Sequence, residues 1–142
     1  MKTNWLLRSA AIVMLLHELG HTIGALSWRE TTDPAKQQVI NAMTGDKFSF
    51  MGAARSMGEY YHGYGLITIL ALLLLAAILW IGSEAGALQG PVFKLLIVSA
   101  IVLFSLGIIE LLFFFPLAAL FSLTAGGLTT TALIRARGSH KT

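Results

Sequence analysis

The residues best suited to chemistry are His17, Glu18 and His21, in the run His17-Glu18-Leu19-Gly20-His21. An imidazole takes or gives a proton near neutral pH and can ligate a metal, and a neighbouring carboxylate supplies a complementary base. On a helix His17 and His21 lie one turn apart, about 40° around the axis, so both leave the same face. The spacing also matches His-Glu-x-x-His, in which two histidines bind Zn²⁺ and the glutamate is general base on the metal-bound water. That chemistry needs a third ligand, for which His62 is the candidate.

A second cluster runs from Arg55 through Ser56, Glu59, Tyr60, Tyr61 and His62 to Tyr64. Read as a helix, it sets Arg55, Glu59 and His62 on one face at i, i+4 and i+7. Glu59 then joins Glu18 and His21 as an acid/base candidate, and Arg55, Ser56 and Tyr61 become candidate substrate-binding residues. The tyrosines equally suit the edge of a membrane, where amphipathic rings prefer to lie. Glu110 is the last candidate. It is expected to turn the corner between two apolar segments at the surface, the other placement being inside a bundle facing the histidines.

The elements that position these residues are apolar. The chain has 142 residues, 56% of them hydrophobic and only 12% charged, with a mean hydropathy of +0.74. Between Glu59 and Lys94 the only acid or base besides His62 is Glu84, and between Lys94 and Arg135 it is Glu110. A soluble domain needs roughly a quarter charged residues to cover its surface, so a soluble globular fold is excluded. The absence of cysteine removes disulfides, thiolate metal sites and cysteine nucleophiles.

The first span is expected at 9–28, whose 20 residues reach about 30 Å, one hydrocarbon thickness. Its two histidines and glutamate make it a poor signal peptide. Further spans are expected at 63–81, 92–109 and 116–134, because the 43 nearly unbroken apolar residues from Val92 to Ile134 are too many for one crossing. The polar segment 29–62 should hold a short interfacial helix over Pro34–Met43, with Asp33 as N-cap and Pro34 at its first position. Phe48-Ser49-Phe50-Met51-Gly52 is too greasy to hang in water and should pack back on the bundle or the membrane. Gly20 and Gly24 should let a neighbouring helix approach closely. The fold class expected is an all-α integral membrane bundle of four transmembrane helices forming a single domain, with one polar extramembrane segment.

Ionisable side chains inside a membrane are costly, so the His/Glu cluster reads as a functional site. His21 precedes Trp28 by seven residues, about 10 Å inside the edge where the second cluster begins, so the two are expected to share one site. An even number of spans puts both termini on one side. Six basic residues (Lys2, Arg8, Lys94, Arg135, Arg137 and Lys141) stand there against four on the other, so both termini are expected in the cytoplasm. The basic residues sit at segment ends and form no nucleic-acid-binding face.

The N-terminal His17-Glu18-Leu19-Gly20-His21-Thr22-Ile23-Gly24, then Phe50-Met51-Gly52, Arg55-Ser56 and Glu59-Tyr60-Tyr61 with Gly63 and Gly65, resembles small uncharacterised four-span membrane proteins of bacteria. The overall plan is similar to DoxX-like and EXPERA-type membrane proteins. That resemblance implies a bacterial inner-membrane protein, and by architectural analogy an acid/base site within a lipid-filled bundle. The expected function is binding, and conversion by acid/base chemistry, of a membrane lipid or other small lipophilic molecule. Three further readings fit the same residues: a zinc-dependent membrane hydrolase, a haem or redox protein with His17 and His62 as axial ligands, and a non-catalytic membrane subunit that self-associates as a homo-oligomer.

Overall fold

The computed structural model describes residues 4–85 and 88–138; Lys2 and Lys141, counted above for orientation, lie outside them. Five helices take up 83% of the described residues: α1 (Asn4–Ser27), α2 (Pro34–Gly45), α3 (Met57–Glu84), α4 (Gly90–Phe113) and α5 (Pro116–Gly138). The strands β1 (Phe48–Phe50) and β2 (Ala53–Arg55) form one antiparallel hairpin between α2 and α3. Four helices, α1, α3, α4 and α5, are long and apolar enough to cross a membrane. Even the most enclosed of them, α5, buries only 44% of its apolar window. The fold is all-α and of the multi-pass membrane type, with helices longer at most ends than the expected spans.

The chain divides into two compact units. The first comprises the described residues of Met1–Glu18 and Leu72–Thr142. Its core follows helical periodicity: Leu7, Ala10 and Met14 on α1, Leu72, Ala76 and Leu79 on α3, Leu96, Ala100 and Leu103 on α4, Ala125 and Ala132 on α5. Small residues bring α4 and α5 together, as expected where lipid gives no hydrophobic push between helices. Leu123 seats against Gly107, whose added Cβ would lie 2.7 Å from it, and Phe104 seats against Gly126 at 3.3 Å. At one end Arg8 Nε donates to Ser83 Oγ at 3.4 Å and its guanidinium lies 5.7 Å from the Trp80 ring centroid.

The second unit is Leu19–Ala71. Asp33 caps α2 as the sequence predicts, its Oδ1 accepting from Ala35 N at 2.9 Å, with Pro34 at the first position. The helix runs to Gly45, two residues past the expected end, and of its apolar residues only Ile40 is buried. The greasy segment packs back in part, through Phe48 on Tyr60. It is the hairpin, turning through Met51 and Gly52 at φ +48° and +84°, the left-handed pair that suits a two-residue turn. Phe50 and Met51 are exposed, and Phe48 is held by a stack on Tyr60 with centroids 5.6 Å apart.

Candidate functional site

Three of the heptad-like core stripes carry a polar residue. On α1 the run Leu7, Ala10, Met14 is continued by His17; on α4 Leu96, Leu103 and Gly107 are continued by Glu110; on α5 Ala118 and Ala125 flank Ser122. Within the first unit these three polar residues meet. His17 Nε2 lies 3.3 Å from Glu110 Oε1, and His17 Nδ1 lies 3.3 Å from Ser122 Oγ. With Nε2–H donating to the carboxylate, Nδ1 accepts from the Ser122 hydroxyl. Phe121 stacks on the imidazole at 5.7 Å between centroids and holds its plane. His17 is 5% exposed, Glu110 6% and Ser122 0%. Among the described residues, Glu110 Oε2 is buried without a hydrogen-bond partner. A carboxylate in such surroundings is costly unless its charge is matched or its proton retained.

Glu110 therefore does not turn a corner at the surface. The α4–α5 turn comes later, at Phe114 and Phe115, where Phe114 N donates to the Glu110 carbonyl at 2.9 Å. Glu110 faces His17 from inside the helix, the placement the sequence left as the lesser one. Its signal was the seven-residue spacing Leu96, Leu103, Glu110, which keeps one phase throughout α4.

The remaining predicted residues fall as follows. Glu18 is on α1 in the first unit, partly buried. His21, Arg55, Ser56, Glu59, Tyr61 and His62 all belong to the second unit. His21 Nε2–H donates to the Gly65 carbonyl at 3.3 Å. Arg55 ends β2 and is not on a helix with Glu59 and His62, so the expected i, i+4, i+7 face does not exist; its Nη1 donates to the Ala54 carbonyl at 3.0 Å. Ser56 and Glu59 form a reciprocal capping box at the start of α3. Glu59 N donates to Ser56 Oγ at 3.2 Å and Ser56 N donates to Glu59 Oε2 at 2.7 Å. Lys47 Nζ lies 3.5 Å from Glu59 Oε1. Both residues expected to do chemistry thus start a helix. Tyr61 packs edge-on against Trp28, centroids 5.1 Å apart.

Among the described residues no three His, Asp or Glu side chains are grouped to hold a metal ion. Both ring nitrogens of His17 face protein partners, and Nε2 of His21 faces a carbonyl. Gly20 and Gly24 have no neighbour within 4 Å of an added Cβ, so neither is the close-approach point expected; Ala25 against Gly65, at 3.1 Å, is one. A hollow of about 290 Å³ in the second unit is lined by Arg55, Glu59, Tyr60, Gly63, Tyr64 and Ile67, which brings two of the predicted residues to one surface.

What the first-unit cluster can do chemically is pass a proton. Hydroxyl, imidazole and carboxyl lie in series, and the carboxyl keeps one oxygen for a further partner. Compared with protein-family models, curated proteins and solved structures, the chain matches none of them.

Proposed function

We propose that this protein is a multi-pass membrane protein of the bacterial inner membrane that binds a small lipophilic molecule and exchanges a proton with it at His17 and Glu110. The observation that carries the reading is the buried Glu110 Oε2, which lacks a partner beside an imidazole already held by Ser122. Buried polar atoms are nearly always satisfied, so an orphaned carboxyl oxygen marks a place for a ligand or a proton. Glu110 gives or takes the proton at Oε2, His17 carries the complementary charge at Nε2, and Ser122 fixes the ring through Nδ1. Apolar surroundings exclude water from the exchange.

The test is organic extraction of detergent-purified protein followed by mass spectrometry, with Glu110→Gln and His17→Gln beside the wild type. A molecule near one equivalent in the wild type, lost in both variants while helicity by circular dichroism is kept, supports the reading. A wild type that carries nothing of the kind overturns it. The proposed orientation places Arg8, Lys94, Arg135 and Arg137 in the cytoplasm. Because the chain has no cysteine, Gln89→Cys and Lys47→Cys each report one loop. Only Lys47→Cys should label from outside intact cells.

A further inference from the structure

Two hollows of the first unit share two lining side chains. The larger, about 370 Å³, runs between α4 and α5 along Phe93, Ile97, Ile101, Phe104 and Ile134. The other, about 360 Å³, is bounded by Leu88, Gln89 and Gly90 where α4 begins. Phe93 and Arg137 line both. The Arg137 guanidinium lies 5.1 Å from the Phe93 ring centroid, and no carboxylate among the described residues pairs with it. Neither hollow is lined by an Asp or Glu.

The charge around this place is one-sided. Lys94 follows Phe93, and Arg135 precedes Arg137 by two residues. The carboxylate at the end of α3, Glu84, accepts from Trp80 Nε1 at 3.1 Å. An aromatic ring under a guanidinium fixes its plane and leaves the rim donors pointing outward, the geometry that meets a phosphate with two bonds. The larger hollow is apolar and lies on the outward side of the helix pair, where Ile101 and Ile134 are exposed. It therefore offers a chain-shaped apolar groove that ends at a fixed cation, at the depth where a span meets the head-group layer.

We infer that the α4–α5 groove and Arg137 form a binding site for an anionic phospholipid, one acyl chain lying along Ile97 and Ile101 and the phosphate on the guanidinium. The site is separate from His17 and Glu110 and does not depend on their role. Net negative head groups are favoured over zwitterionic ones because the surrounding excess is cationic, and one basic side chain near the membrane surface is worth about a fivefold preference.

Native mass spectrometry of the purified protein, titrated with phosphatidylglycerol and with phosphatidylcholine of identical chains, tests this. The wild type should retain one phosphatidylglycerol about fivefold more tightly than phosphatidylcholine. Arg137→Gln should bring the two lipids level, Arg137→Lys should keep part of the difference, and Ile101→Trp should fill the groove and weaken both alike. Equal retention of both lipids by the wild type would overturn the site, as would an unchanged preference in Arg137→Gln. Displacement of phosphatidylglycerol by inorganic phosphate would show a free-anion site instead, and a dimer that excludes lipid would show a second copy in the groove. Either result overturns the inference. If Arg137→Gln does not fold, Ile101→Trp decides: undiminished lipid retention there sinks the idea.

Discussion

Glu110 and Glu59 carry the same functional group and meet opposite surroundings. Glu110 is enclosed by three helices of the first unit, with one oxygen on His17 and the other without a hydrogen bond among the described residues. Glu59 stands in the first turn of α3 with both oxygens used, and its side chain is 37% exposed. Around Glu59 water can replace any partner that is removed, so each contact contributes little. Around Glu110 nothing replaces a lost partner, so each contact carries the full cost of desolvation. The number of contacts a carboxylate makes is therefore a poor guide to its role. What stands behind it when a contact fails is a better one.

His17→Leu is expected to have the largest effect, about 3–5 kcal/mol of lost stability, because it leaves the Glu110 carboxyl buried and uncompensated. Unfolding by denaturing detergent in mixed micelles measures it. The double variant His17→Leu/Glu110→Leu should recover most of the loss, since an apolar pair of similar volume has no charge to desolvate. A loss no larger than those below would dissolve the contrast between the two carboxylates.

Gly58→Val comes next, at about 1–3 kcal/mol. Its Cβ would lie 2.8 Å from Thr44 Cγ2 and 3.2 Å from the Met43 carbonyl oxygen. The thermal midpoint of the variant would show that the second unit is sensitive where it is crowded, one residue from the carboxylate that is not. Ser56→Ala should cost about 1 kcal/mol by removing the cap of α3, seen as faster amide exchange at Glu59. Lys47→Met should leave stability unchanged at any salt concentration, because an exposed ion pair gains little in water. A measurable loss there would place the Glu59 cluster nearer in kind to Glu110.

Much of this was legible in the sequence. The four apolar stretches, the Asp33-Pro34 helix start and the tyrosines at the head of α3 each follow from local rules that act over a few residues. The pairing of His17 with Glu110 was legible only as the lesser of two placements, because the residues lie 93 positions apart and their contact depends on the relative rotation of two helices. Glu18 drew attention by adjacency, yet neighbours on a helix point about 100° apart, so the carboxylate that meets His17 comes from another helix. A helix start was equally legible at Ser56-Met57-Gly58-Glu59, where the capping pattern stands in plain spelling beside Arg55 and His62.

The seating of Leu123 against Gly107 has a consequence for how this chain can change over generations. Gly107 stands one turn before Glu110, and Leu123 directly follows Ser122. Any side chain at 107 would wedge the two helices apart and draw the hydroxyl and the carboxyl away from the imidazole without altering any of the three. Such an exchange is tolerable only together with a shorter residue at 123. A side chain at 107 thus fits only where a shorter residue already stands at 123, so the order of the two changes is set in one direction.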